Sequence, residues 1–149
     1  MTDWSDILAA VAAALGPDKV RGRELLSQCW SNTIESDHAK RCVLAHYLAD
    51  LQDELDAEVA WDERAVAAYR HVDEGDLAPI GIASADGLAP SLHLNLGDGY
   101  LRQGRIDDAR TQLRAGLAGI DALPDDGYAA MVRNGLAGLQ QRLTAARQT

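Results

Sequence analysis

The sequence predicts an all-α protein, and three observations predict it. Alanine and leucine dominate, phenylalanine is absent and β-branched residues are thin, a bias towards helix because branching at Cβ costs rotamer freedom on a helix. Apolar residues recur with the 3.6-residue period in seven stretches. All but one of the links between those stretches are short, which sets neighbouring helices antiparallel. A chain of 149 residues fits one domain, 1–149, able to bury about two-thirds of its unfolded surface.

The elements follow in order. The first helix runs from about Asp3 to Leu15, with Trp4, Ile7, Leu8, Val11 and Leu15 at helical spacing, and stops at Gly16-Pro17. The second starts near Asp18, buries Leu25, Leu26, Cys29 and Trp30, and completes a pair over about 3–31. SNTIESD is a polar break in which Ser36 or Asp37 can cap the third helix, whose apolar residues are Leu44, Tyr47, Leu48 and Leu51. The fourth starts near Asp53, its expected N-cap, and carries Leu55, Val59, Trp61, Val66 and Tyr69; this second pair covers about 37–73. Residues 75–90, GDLAPIGIASADGLAP, hold too much glycine and proline for a helix, yet Leu77, Ile80, Ile82 and Leu88 should keep this loop against the protein. The fifth and sixth helices, about Ser91–Gln103 and Ile106–Ala122, form a third pair over 91–122. Pro124-Asp125-Asp126 opens a seventh over about 126–146, striped by Tyr128, Val132, Leu136, Leu139 and Leu143.

The pairs share a spacing. His93-x2-Leu96-Gly97-x2-Tyr100 leads to Ala109-x3-Leu113, and Arg41-x2-Leu44-Ala45-x2-Leu48 leads to Ala57-x3-Trp61. Ala10 followed by Gly22-x3-Leu26 fits the same frame more loosely. In each pair the small residue of the first helix stands twelve before that of the second. A small residue on each helix lets the two approach closely while large apolar residues fill the flanks. This arrangement resembles the tetratricopeptide repeat, a helix pair of about 34 residues. Gly22 to Ala57 is 35 residues, and Ala57 to Ala109 is 52, one repeat plus an insertion matching the 75–90 loop. Two positions depart from the pattern: His93 stands where tryptophan is usual, and Pro124 comes three residues late.

The resemblance implies a right-handed stack of about three antiparallel helix hairpins closed by a C-terminal capping helix. It also implies a concave groove, lined by the first helix of each pair, that holds a peptide or a segment of another protein. The residues it places there are His38, Cys42, His46 and Asp50 in the second pair, and Leu94, Asp98 and Arg102, with Pro90, in the third. The first pair contributes Ile7, Val11 and Leu15. Family members that clamp a C-terminal carboxylate use Lys, Arg and Asn at such places, whereas this chain offers Cys42, His46, Asp50 and Asp98.

Other chemistries fit less well. LNLGDGYLRQGRIDDA, residues 94–109, is rich in glycine, but a dinucleotide fingerprint would need glycine where Arg102 stands. A phosphate loop would need Lys-Ser/Thr after Gly104, where Arg105-Ile106 follows. Gly97 is therefore read as a helix contact and Gly104 as a turn. His38, Cys42, His46 and Asp50 are competent zinc ligands, one turn apart along one helix side. The outer members are ~12–18 Å apart, so one helix alone cannot surround an ion with them. Cys42 and His46 lack an oxyanion donor and an orienting acid beyond Asp50, so no catalytic, metal or cofactor site is expected.

The charge is −9, and residues 1–75 carry fifteen acids against seven bases. Residues 50–63 alone hold seven acids and no base. Such a surface repels nucleic acid and anionic membranes and suits a basic protein or peptide. Cys29 and Cys42 form no disulfide framework, and Asp3 and Asp6 precede the first apolar run where a signal peptide needs positive charge, so a cytoplasmic protein is expected. The expected function is non-enzymatic protein binding. The alternatives are a homo-oligomer, such as a homodimer, built through the repeat surfaces, and a regulator that binds a metal or small molecule.

Overall fold

The computed structural model of the protein describes residues 2–82 and 84–147. Among them are seven α-helices and no strand: α1 Trp4–Leu15, α2 Lys19–Ser31, α3 His38–Ala49, α4 Leu55–Tyr69, α5 Ala89–Arg102, α6 Ile106–Ala118 and α7 Gly127–Arg147. The chain divides into two compact units, Met1–Ala83 and Ser84–Thr149, with the division inside the 75–90 segment. That segment holds two short 3₁₀ turns, Ala78–Ile80 and Ala85–Gly87, and buries Leu77, Ala85 and Leu88. α5 begins at Ala89, two residues before the expected start, with Pro90 in its first turn, where a missing N–H costs nothing.

In the first unit α1 pairs with α2, α3 pairs with α4, and α3 also packs on both α1 and α2. α1 opens with a capping box: the Asp3 carboxylate accepts from the Asp6 amide at 3.0 Å, and the Asp6 carboxylate accepts from the Asp3 amide at 3.3 Å. Asp18 caps α2 through the Arg21 amide at 3.0 Å. Gly22 makes the α1–α2 approach possible, since a Cβ there would press on the Ala14 Cα and stand 2.7 Å from its nitrogen. Two caps differ from expectation. Asp37 occupies the N-cap position of α3, but its carboxylate accepts the Ile34 amide at 2.9 Å, closing the preceding turn instead. α4 is preceded by Glu54 rather than Asp53, with no side-chain cap.

Ile7, Leu26, Leu44, Leu48, Val59 and Ala65 form the core of this unit. On its side, Trp30 of α2 meets Trp61 of α4 edge to face at 4.9 Å. Arg41 covers Trp30 at 4.9 Å and Arg64 covers Trp61 at 4.3 Å, so two indoles and two guanidinium groups run as a ladder. Arg41 is held by Nε donating to the Thr33 hydroxyl at 2.9 Å.

In the second unit α5 pairs with α6, and α7 packs on both. A Cβ on Gly97 would stand 3.5 Å from the Ala109 carbonyl oxygen and 3.3 Å from Gln112 Cβ, the close helix contact its spacing predicts. Gly104 follows α5 at φ +79, with Gly104 N–H donating to the Leu101 carbonyl at 2.9 Å and Arg105 N–H to the Tyr100 carbonyl at 2.8 Å. These two bonds are a Schellman stop, which requires the left-handed conformation glycine adopts freely. α7 buries Ala129, Val132, Leu136, Leu139 and Leu143. Tyr128, expected in that stripe, is 43 % exposed and donates its hydroxyl hydrogen to Ser91 Oγ at 2.9 Å. Ala129 is fully buried in its place.

Candidate protein-binding surface

α1 carries two apolar stripes. Ile7, Ala10 and Ala14 face the interior of the first unit and are buried. Trp4, Leu8, Val11 and Leu15, spaced four, three and four apart, lie on the neighbouring face. Trp4 and Val11 are half-buried, while Leu8 is 45 % and Leu15 68 % exposed. Helix packing within the unit thus uses one stripe and leaves the second open.

α3 runs beside this second stripe in the same direction. At one end Trp4 shares a polar cleft of about 380 Å³ with His38, Lys40, His71, Asp73 and Asp76. At the other, Leu15 shares a cleft of about 270 Å³ with Tyr47, Asp50, Leu51, Asp53 and Arg23. The bases in these clefts are partly committed: Lys40 Nζ donates to the Thr2 carbonyl at 3.0 Å and Lys19 Nζ to the Ala14 carbonyl at 2.8 Å.

The row His38, Cys42, His46 and Asp50 is not one continuous surface. His38 opens into the Trp4 cleft and stacks on His71 with ring centroids 4.5 Å apart. Cys42 has no exposed surface, and burial pushes its thiol up to about 12. It can neither touch a partner nor supply a thiolate at neutral pH. His46 packs against Tyr47 at 5.1 Å, and its Nδ1 is enclosed without a hydrogen-bond partner. Burial holds the His46 imidazole below its usual range, with the Asp50 charge opposing. Asp50 is exposed at the Leu15 cleft; partial desolvation of its carboxyl raises it above the ordinary range, His46 opposes that, and the Glu58 charge adds to it. The two ends of the row therefore belong to separate clefts, and between them Cys42 is interior and His46 half-buried because α3 is packed by α1, α2 and α4 together.

In the second unit, α7 engages the face expected to line the groove. Leu94 is half-buried, and a Cβ on Gly135 would stand 2.5 Å from its Cδ2. Asp98 accepts from Arg102 Nε at 2.9 Å and from Arg142 Nη1 of α7 at 2.7 Å. Leu94 and Asp98 thus fasten the last helix to α5, and Arg102 lies exposed beside them.

Among the described residues, no group of three or more His, Cys, Asp or Glu side chains is arranged to hold a metal ion, and no helix is long and apolar enough to cross a membrane. Sequence reasoning placed Val11 and Leu15 on the binding face but grouped them with Ile7, which is buried, and not with Trp4 and Leu8. Ile7 and Leu8 are adjacent and stand about 100° apart on a helix, so the five positions already contained two faces. Comparison with protein-family models, with curated proteins and with solved structures finds no match to this chain.

Proposed function

We propose that the chain is a non-enzymatic scaffold of tetratricopeptide-like hairpins that binds a peptide or a segment of another protein. The repeat reading is supported by the packing inside each unit. α3 lies against both α1 and α2, and α7 lies against both α5 and α6, as the next element of a helical array would. Gly97 beside Ala109 at the α5–α6 crossing is consistent with the repeat spacing, whereas Gly22 meets Ala14 and not Ala10.

The observation that carries the binding reading is the open stripe of α1, with Leu8 and Leu15 exposed after Ile7, Ala10 and Ala14 have met the packing needs of the unit. Leu8 and Leu15, with half-buried Trp4 and Val11 in the same row, offer a partner a continuous apolar ridge along one helix face. Polar clefts at both ends supply orientation, with His38 at one and Asp50 at the other. Affinity comes from the stripe and register from the ends.

The test is selection from a displayed random-peptide library against the folded protein, with the Leu8→Ser/Leu15→Ser variant as counter-target. The reading expects a recurring peptide motif that binds the native chain and is released by the variant. Peptides retained equally by both proteins would reject this surface. Self-association through the same stripe is the competing use, and sedimentation of both proteins over a range of concentrations reads it directly.

A further inference from the structure

We propose that the occupant of the α1 stripe is an amphipathic helix whose apolar face is flanked by Lys and Arg. The inference rests on the binding reading above and adds the chemistry of the partner.

Shape comes first. Trp4, Leu8, Val11 and Leu15 recur at intervals of four, three and four over eleven residues, a rise of about 16 Å or three helical turns. A second helix with the same spacing lays its own apolar ridge along such a row, because side chains at three- and four-residue steps interlock. An extended segment repeats every ~7 Å on one face and slips by roughly 1.5 Å per step against a row stepped at about 5–6 Å. The row therefore favours a helix of about three turns over a strand.

Charge decides the rest. The first unit holds sixteen acidic and seven basic side chains and the second holds seven of each, so the whole formal charge of −9 belongs to the unit that carries the stripe. At the Trp4 end the cleft is lined by Asp37, Asp73 and Asp76, and at the Leu15 end by Asp50 and Asp53. Against them stand Lys40 and Lys19, both donating to backbone carbonyls, and Arg23, which reaches Asp53 only at 3.9 Å. Asp50 also lies under the field of Glu58. Three carboxylates against Lys40 at the Trp4 end, and two against two bases at the Leu15 end, within a unit of formal charge −9, complement a helix flanked by cations and repel an acidic one.

The experiment titrates the full chain against three labelled peptides of about 14 residues, followed by fluorescence anisotropy. One is a Leu/Lys helix with apolar residues at three- and four-residue steps. The second is its Leu/Glu counterpart, and the third has the Leu/Lys composition in scrambled order. The Leu/Lys helix is expected to saturate at one per chain, about tenfold more tightly than either comparator. Leu8→Ser/Leu15→Ser should weaken it about tenfold, and Asp50→Asn/Asp53→Asn several-fold, with helical circular dichroism unchanged in both. Equal binding of the scrambled peptide overturns the helix. Equal binding of the Leu/Glu helix, still lost in Leu8→Ser/Leu15→Ser, overturns the basic partner and leaves the binding surface standing. Failure of all three peptides, together with an empty library selection, overturns the binding surface itself. A dimer that dissociates in Leu8→Ser/Leu15→Ser replaces the partner with a second copy of the chain.

Discussion

Gly22→Ala inserts one methyl group where α1 and α2 cross. The new Cβ would stand 2.7 Å from the Ala14 nitrogen and press on the Ala14 Cα. Both obstacles are backbone, so no rotamer change relieves them, and ordinary contact requires the helices to part by roughly 0.7 Å or more. Overpacking of this kind costs about 1–3 kcal/mol. Alanine returns about 1 kcal/mol through its better helix propensity. When only backbone can yield, the steric term wins, and a net loss of about 1–2 kcal/mol is expected from a fold whose whole stability is of order 10 kcal/mol. Gly138→Ala supplies the control, because a Cβ there meets nothing within 4 Å and only the propensity gain of about 0.5–1 kcal/mol remains. Gly97→Ala falls between, since its closest obstacle, 2.8 Å away, is the mobile Cδ2 of Leu139. Urea unfolding followed by circular dichroism at 222 nm ranks the three. A Gly22→Ala protein as stable as Gly138→Ala would refute the close crossing.

The other predictions concern titration, ion pairing and reactivity. His46 is held low by burial and partly restored by the Asp50 charge, so Asp50→Asn should move its imidazole titration to still lower pH, read by NMR of the ring protons. Because the Asp50 carboxyl lies above its unfolded value in the folded chain, it favours folding in its protonated form and loses that advantage as pH rises; Asp50→Asn should therefore raise stability near pH 7 relative to pH 4. Asp98→Ala breaks both guanidinium contacts, but the pair is a third to a half exposed, so the loss should stay near 0.5–1 kcal/mol in urea. Cys42 should resist a thiol reagent at pH 8 until denaturant is added, and rapid modification of the native protein at this residue would contradict its enclosure.

Most of the local architecture was legible because it depends on residues a few positions apart. Gly16-Pro17 and Gly104 announce helix ends, and Gly97 with Ala109 announces a close contact through a spacing of twelve. Surface assignment failed where it depends on distant partners. Nothing near Cys42 reveals that α3 is enclosed by three helices, and Asp98 finds Arg142 forty-four residues later. His71, which stacks on His38, lies two residues past the end of the next helix. α1 held two stripes, and grouping Ile7 with Val11 and Leu15 mixed the buried face with the open one.

The tryptophan ladder has a practical consequence. Trp4, Trp30 and Trp61 are the only indoles in the chain, and all three belong to the first unit. Intrinsic fluorescence excited at the red edge therefore watches that unit alone, while far-ultraviolet dichroism watches every helix. The edge-to-face indoles of Trp30 and Trp61 stand 4.9 Å apart, so near-ultraviolet dichroism is expected to report the intact first unit as well. Unfolding curves from the two signals will coincide if the halves of the chain melt as one body and separate if they do not. The native sequence thus carries its own half-molecule reporter, with no label required.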